Sequence, residues 1–120
     1  MGRDMRVIAV AVGLLGVLAG GAAAQDPLEV GPDVYSKKFE NERVRVMEVD
    51  FKVGDAIAMH SHPDHFVYVL TPGTLRLTYP DGQSKDVVAT AGEVLWIPAE
   101  SHAAENTGGA EVRLLVVELK

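Results

Sequence analysis

The sequence predicts an all-β, single-domain fold, a sandwich or closed barrel for which a jelly roll is the natural candidate. Short segments of alternating apolar and polar residues recur at close spacing, and glycine- and proline-containing turns separate them. No segment after residue 32 has a sustained helical periodicity. About 95 residues follow the N-terminal apolar segment, enough for one hydrophobic core and too few for two.

Residues 1–24 have the three parts of a secretory signal peptide. Arg3 and Arg6 make a basic start, and Val7 to Leu18 is twelve residues without a polar side chain. Ala22 to Ala24 supplies an Ala-x-Ala cleavage site. We therefore predict a periplasmic or secreted protein with no stable membrane association after cleavage. The alternative is a retained anchor, because the apolar stretch reaches the lower length limit for a membrane span.

Charge and cysteine content exclude several classes of partner and linkage. The chain has a net charge of −6, and since residues 1–24 carry +1, the remainder carries −7. Binding to nucleic acid needs clustered lysine and arginine, so we expect no nucleic-acid partner. The chain contains no cysteine, so the fold must hold without disulfides.

The N-terminal elements of the exported part follow from turn residues and alternation. Residues 25–33 are predicted to be an extended lead-in, because two prolines and a glycine interrupt them. The domain proper is then residues 34–120. Its first clear strand is Arg45 to Phe51, which places Arg45 on the same face as its apolar residues. Arg45 is a candidate for holding an anionic substrate, although we expect its charged end to reach the rim.

Tight turns set the remaining strands. Asp81-Gly82 is a strong hairpin signal, and it joins Thr74–Tyr79 to Ser84–Ala89. Thr71-Pro72-Gly73 is a second turn, which follows a strand at Phe66–Leu70. Three further strands are predicted at Glu93–Ile97, His102–Asn106 and Val112–Leu119. The last is apolar on both faces and is expected to be buried.

Three of the four histidines fall within the six residues from His60 to His65. His60 and His62 are two residues apart, which places both imidazoles on one face of a strand. Pro63 then allows a bend that can return His65 to the same point, and His102 begins a strand that could lie beside the first. Imidazoles grouped in this way suit zinc, iron, copper and nickel. The alternative is that each is a hydrogen-bonded core or rim residue.

Two motifs resemble those of the cupin family. Gly54-x5-His60-x-His62-x2-His65, closing at Gly73, is similar to the first cupin motif. Gly92-x5-Pro98 followed by His102-x3-Asn106 is similar to the second. The segments "HSHPDHFVYVL", "GEVLWIPAESHAAEN" and "VELK" look like small single-domain cupins grouped with a β-alanine degradation protein.

The resemblance implies a cupin-type jelly-roll β-barrel that holds one divalent transition metal, with Fe, Zn, Mn, Ni and Cu as candidates. Carried over by position, the metal ligands are His60, His62, His65 and His102. The glutamate that usually follows the His-x-His pair is absent, so His65 takes its role. Without that carboxylate the site is less anionic, and a divalent metal would be a stronger Lewis acid there.

Residues near the motifs are further candidates. Glu100 and Glu105 flank His102, and either carboxylate could act as a general base or orient an imidazole, or could simply be solvated. Tyr68 and Trp96 could line the mouth of the barrel, or could fill the core. We hold Glu100 and Tyr68 as the catalytic candidates.

Three functions remain open. The first is a metal-dependent enzyme of the dioxygenase or lyase/isomerase kind, which acts on a small organic molecule. The resemblance implies the oxygen chemistry, because three-histidine cupins include dioxygenases. The second is a non-catalytic module that binds metal or a small ligand. The third is a metal-free barrel whose imidazoles form a pH-sensitive pocket. The oligomeric state stays open, and a homodimer is the alternative to a monomer because exposed edge strands need covering.

Overall fold

The computed structural model describes residues 25–120, so the predicted signal peptide lies outside the described residues. This part of the chain contains one short helix and nine strands. In chain order they are α1 (Pro27–Val30), β1 (Tyr35–Glu40), β2 (Val44–Phe51), β3 (Ala56–His62), β4 (His65–Thr71), β5 (Gly73–Thr78), β6 (Ser84–Ala89), β7 (Val94–Ile97), β8 (Glu100–Asn106) and β9 (Val112–Leu119). Within residues 25–120, no helix has the length and apolar character needed to cross a membrane.

The strands form two antiparallel sheets. The five-stranded sheet has the order β1-β2-β9-β4-β7, and the four-stranded sheet has the order β3-β8-β5-β6. The predicted all-β, single-domain jelly roll is therefore confirmed. Closure is the point of difference, because no strand pairing among residues 25–120 joins the two sheets into a continuous barrel.

The core lies between the sheets and follows from the alternation of each strand. In β2, Met47, Val49 and Phe51 are almost completely buried, and the residues between them are only partly so. Strands β5 and β6 form the predicted hairpin, with Thr78 opposite Ser84 and Gly73 opposite Ala89. Gly82 adopts a φ of 88°, which a residue with a Cβ rarely does, and so the Asp-Gly turn forms where predicted.

The N-terminal lead-in differs from the extended segment predicted for residues 25–33. Asp26 caps a one-turn helix by accepting a hydrogen bond from Leu28 N at 2.9 Å, and Pro27 occupies the first helical position. An Asp-Pro pair favours this start because proline has no amide hydrogen to leave unsatisfied. Strand β1, which follows, has no alternating pattern: only Tyr35 is buried, which explains why the strand was not predicted.

Strand β9 was expected to be buried on both faces, and instead its burial alternates. Val112, Leu114 and Val116 are buried, with partly exposed residues between them. Glu118 continues the inward series and is only 4% exposed. A buried carboxylate in this position requires partners that stabilise its charge.

Candidate metal centre

Three histidines of the four-stranded sheet form the centre of the site. Strands β3 and β8 are neighbours, and their register places His60 directly opposite His102. His60 and His62 are both buried on the inner face while Ser61 between them is less so, as the i, i+2 spacing predicts. Donor atoms of His60, His62 and His102 all lie within 4.8 Å of one another. The two motifs therefore meet in space through one strand pair.

His65 approaches from the opposite sheet. The bend at Pro63 and Asp64 carries the chain from β3 to β4, which belongs to the five-stranded sheet. The His65 ring lies beside the His62 ring, with centroids 4.5 Å apart and planes inclined by 31°. His65 is thus brought to the cluster as predicted, although it stands outside the group of three whose donor atoms converge.

Every imidazole of the cluster has a hydrogen-bond acceptor at its Nδ1 atom. Nδ1 of His60 donates to Ala58 O at 2.8 Å, and Nδ1 of His65 donates to the carbonyl of Pro63, also at 2.8 Å. The other two donate to carboxylates: His62 to Glu118 at 2.7 Å and His102 to Glu100 at 2.6 Å. These partners assign the proton of each neutral ring to Nδ1, which leaves Nε2 with the lone pair that binds metals.

Burial keeps the imidazoles in their neutral, metal-binding form. Loss of hydration lowers the pKa of His60 to about 4, and the neighbouring His62 and His102 add to the effect. Burial also lowers the pKa of His65, and that of His102 despite its hydrogen bond to Glu100. At neutral pH these three rings therefore offer lone pairs without first losing a proton.

Glu118 is a site residue that the sequence did not single out. Its Oε2 accepts the hydrogen bond from Nδ1 of His62. Its Oε1 lies 3.0 Å from Nε and 2.8 Å from Nη2 of Arg45. Arg45 in turn contacts both carboxylate oxygens of Asp26, at 2.8 and 3.1 Å. The expectation that the charged end of Arg45 reaches the rim was wrong, because its side chain is only 14% exposed and is held between two carboxylates.

The two predicted catalytic candidates have different positions. Glu100 contacts His102 through the imidazole N–H, which is one of the two roles predicted for it. Tyr68 is 39% exposed and alternates with the buried Val67 and Val69, so its side chain lies on the outer face of the sheet, away from the histidines. Trp96, which pairs with Phe66 on the neighbouring strand, is more than half exposed.

Tyr35 is the aromatic residue that does reach the cluster, and sequence reasoning missed it. Its hydroxyl donates toward Nε2 of His62 at 3.4 Å, and its ring centroid lies 5.8 Å from that of His60. Burial, reinforced by the charge of Glu118, raises the pKa of Tyr35 well above its usual value. The hydroxyl therefore keeps its proton at neutral pH and acts as a hydrogen-bond donor.

An apolar cavity opens from the cluster toward the free edges of both sheets. Its volume is about 70 Å³, and its wall includes His62, His65 and His102 at one end and aliphatic residues of both sheets beyond them. A second cleft of about 300 Å³ shares part of the aliphatic wall, at Leu77, Val87, Leu95 and Ile97. The outer cleft is also lined by more polar side chains, namely those of Tyr79, Lys85 and Glu100.

The donor set fits a divalent transition metal. Nε2 of His60 is buried and has no hydrogen-bond partner among the described residues. A buried imidazole nitrogen without a partner carries a free-energy cost that coordination of a cation would remove. Three imidazoles whose Nδ1 atoms are held by oxygen acceptors are a donor set that suits zinc, iron, nickel and copper.

The fold and the cluster define a jelly-roll protein with a three-histidine group that could hold a metal ion. The chain belongs to the cupin family, because the model of the Cupin domain matches residues 47–118. A cupin domain from Bordetella pertussis Tohama I is 30% identical, with a TM-score of 0.68, and the match covers 72% of this chain and 92% of that chain.

Two other solved structures place the chain in a broad fold group. The polyketide cyclase RemF from Streptomyces resistomycificus is 27% identical over 71% of this chain and 63% of its own, with a TM-score of 0.55. A cupin superfamily protein from Desulfitobacterium hafniense DCB-2, 24% identical with a TM-score of 0.55, covers 72% of this chain and 75% of its own, and shows the fold alone. No curated protein gives a significant match.

Proposed function

We propose that this cupin is a metal-dependent enzyme that acts on a small organic molecule. The observation that carries the proposal is the convergence of His60, His62 and His102, each with its Nδ1 hydrogen-bonded, beside an apolar cavity whose wall includes His62 and His102. Three protein ligands leave coordination positions for a substrate, as catalytic sites require. When bound there, a divalent transition metal would supply Lewis-acid or redox chemistry.

The cavities indicate how a substrate would enter. A water molecule occupies about 30 Å³ of liquid, so the inner cavity of about 70 Å³ has room for only a few atoms. The reacting end of the molecule would lie there, against aliphatic walls that exclude water. The remainder would lie in the outer cleft, where Lys85 and Glu100 can contact polar groups. Tyr35 would donate a hydrogen bond to a substrate oxygen beside His62.

We propose two alternative classes of reaction. Oxidation of a small molecule by dioxygen is one, and a lyase or isomerase reaction is the other. The polyketide cyclase among the similar structures favours chemistry on a carbonyl compound, which a Lewis-acidic centre polarises. Membership of the group that includes a β-alanine degradation protein stays a prediction.

The second candidate function is a non-catalytic module that binds metal or a small ligand. The position of His65 favours it, because a fourth imidazole lies beside His62, with ring centroids 4.5 Å apart. Four imidazoles around one ion would close a tetrahedron and leave no position for a substrate.

Metal analysis tests the proposal. Protein purified without a histidine tag is stripped with EDTA, offered Fe²⁺, Zn²⁺, Mn²⁺, Ni²⁺ or Cu²⁺, and measured for bound metal per chain. We expect one equivalent for the wild type and none for His102→Ala. Glu105→Ala, on the exposed side of the same strand, is the matched control and should bind like the wild type. Absence of stoichiometric metal in the wild type would overturn the proposal and favour the metal-free pocket.

Catalysis is then tested by a substrate screen. Oxygen consumption by iron-loaded protein is followed with small thiols, diketones and carboxylic acids, and the same mixtures are examined by proton NMR for isomerisation or cleavage. Turnover that is lost in His102→Ala supports an enzyme. Stoichiometric metal without turnover of any compound would favour the binding module.

We also propose that the protein is exported and dimeric. Residues 1–24 support export by their pattern, and N-terminal sequencing of the mature protein should begin near Gln25; an intact Met1 would count against cleavage. Exposed apolar side chains on the five-stranded sheet, such as Val94, Trp96 and Phe39, support a homodimer. Light scattering should give twice the mass of the chain.

A further inference from the structure

We infer that Glu118, held by Arg45 and Asp26, is a positioning residue that sets the metal affinity of His62. This inference rests on the proposed metal site. It concerns four residues that connect the N-terminal segment to that site, namely Asp26, Arg45, Glu118 and His62. The chain of contacts runs from Asp26 to Arg45, from Arg45 to Glu118, and from Glu118 to Nδ1 of His62.

Strand register places Glu118 where it can act on the cluster. In the five-stranded sheet, Glu118 lies between Arg45 on β2 and His65 on β4. Its side chain is 5% exposed, so its charge interacts with Arg45 and His62 in an environment of low dielectric constant. The two oxygens have separate partners, which prevents the carboxylate from rotating away from the imidazole.

The hydrogen bond from His62 to Glu118 determines which ring nitrogen of His62 is free to bind a cation. The carboxylate accepts the Nδ1 hydrogen and so fixes the tautomer with the lone pair on Nε2. It also fixes the ring orientation and increases the basicity of the ring. Loss of a carboxylate in this position commonly weakens metal binding 10- to 100-fold.

Arg45 and Asp26 hold Glu118 in its orientation. Asp26 carries a negative charge, since hydrogen bonds and the charge of Arg45 lower its pKa although its partial burial opposes this. The backbone holds the same segment, because Ser61 N, between the two β3 histidines, donates to Gln25 O at 2.8 Å.

The expectation that loss of the glutamate ligand makes the site less anionic is thereby modified. Glu118 and Glu100 lie on the Nδ1 side of His62 and His102, so each is one imidazole ring away from the metal position. The negative charge that other cupins supply by direct ligation would be supplied here through the rings.

Cobalt(II) titration tests the inference, with binding followed by visible absorption and zinc competition. We expect Glu118→Gln to weaken Co²⁺ binding 10- to 100-fold, with smaller losses for Asp26→Asn. Glu48→Gln is the matched control, since Glu48 forms a carboxylate–guanidinium pair with Arg113 between the same two strands without touching a histidine. It should change affinity less than twofold. Equal affinities for wild type and Glu118→Gln would overturn the inference.

A measurement on metal-free wild-type protein separates this inference from the proposed function. Nitrogen-15 shifts of the His62 ring should report a proton on Nδ1 at neutral pH, whether or not metal later binds. A proton on Nε2 would overturn the inference even if Co²⁺ binds. Conversely, a protein with a proton on Nδ1 that binds no Co²⁺ would overturn the proposed metal site and the effect on metal affinity. The role of Glu118 in orienting His62 would stand. Asp26→Asn, at the most exposed end of the chain of contacts, provides a second variant if Glu118→Gln does not fold.

Discussion

The two sheets contribute differently to the site. The four-stranded sheet supplies the three histidines whose donor atoms converge, and all three come from the single strand pair β3 and β8. The five-stranded sheet supplies Glu118 and Tyr35, which contact His62 from behind and from the side, together with His65. The three converging histidines are therefore carried by one sheet and the side chains that contact His62 by the other, so mutations in the two sheets should have separable effects.

The largest effect is expected from the four-stranded sheet. His60→Ala removes one of three converging donors, and we expect stoichiometric metal binding to be lost. For the wild type, Zn²⁺ at 100 times its dissociation constant should add about 2.7 kcal/mol to the free energy of unfolding. Denaturation with and without Zn²⁺ measures this increment, which should vanish in the variant. An equal increment in both proteins would place the binding site elsewhere.

In the five-stranded sheet the largest effect should be on stability. Arg45→Met leaves Glu118 charged and buried without its cation, and breaking such a pair costs about 3 kcal/mol or more. Arg76→Met is the matched control, because Arg76 also faces its carboxylate, Asp86, directly across a strand pair but in solvent. Urea denaturation in EDTA should show a large loss for the first and little change for the second. Similar losses of unfolding free energy in the two variants would mean that burial does not increase the contribution of the Arg45–Glu118 pair to stability.

Acidification should weaken the metal-free protein through the inward histidines. Burial lowers the pKa of His60 to about 4 from an ordinary value of 6.5. Between these two values the unfolded chain binds the proton and the folded chain does not, so stability is fully present above pH 6.5 and falls as the pH decreases. From pH 7 to pH 5 we expect a loss of about 2 kcal/mol from this residue. Urea denaturation in EDTA at both pH values measures it; equal stability would show that His60 is hydrated.

His65 should matter less to metal binding than the converging three. Since its ring lies on the other sheet and outside that group, His65→Ala should weaken Zn²⁺ binding by less than tenfold, whereas His62→Ala should abolish it. Competition with a chromogenic chelator measures both. A loss as large as that of His62→Ala would make His65 a fourth ligand and favour the non-catalytic module.

The smallest effect is expected on the outer face of the five-stranded sheet. Tyr68→Phe removes an exposed hydroxyl on the side away from the histidines, so metal affinity, thermal stability and any turnover should remain at wild-type values. Tyr35→Phe is the informative partner, because it removes the hydroxyl beside Nε2 of His62. A decrease in turnover for Tyr68→Phe would restore it as a catalytic candidate.

The placement of His60, His62 and His65 was predictable from the sequence because it depends on local rules. His60 and His62 share a face by the two-residue period of a strand, and the bend at Pro63 is a short-range effect. The hairpin at Gly82 was predictable for the same reason. In each case the residues that determine the geometry are neighbours in the chain.

Glu118, Tyr35 and Asp26 were not predictable as site residues, because long-range contacts place them, whereas Glu100 was predicted beside His102. Glu118 is 56 residues from His62, and at the end of an apolar strand it resembles a solvated terminal acid. Tyr35 begins a strand with no alternation, and Asp26 lies in a segment that reads as a linker. The register of β9 between β2 and β4 brings Glu118 to the site, the pairing of β1 with β2 brings Tyr35, and the contact with Arg45 holds Asp26.

A crystal structure of the protein soaked with Zn²⁺, with data collected at the zinc absorption edge, tests the central claim most directly. We expect one anomalous peak per chain, bonded to Nε2 of His60, His62 and His102 at about 2.0–2.1 Å, with Nδ1 of His62 still donating to Glu118. A peak bonded to Nδ1 atoms, or the absence of zinc between these three rings, would contradict the assignment of a metal centre to the inner face of the four-stranded sheet.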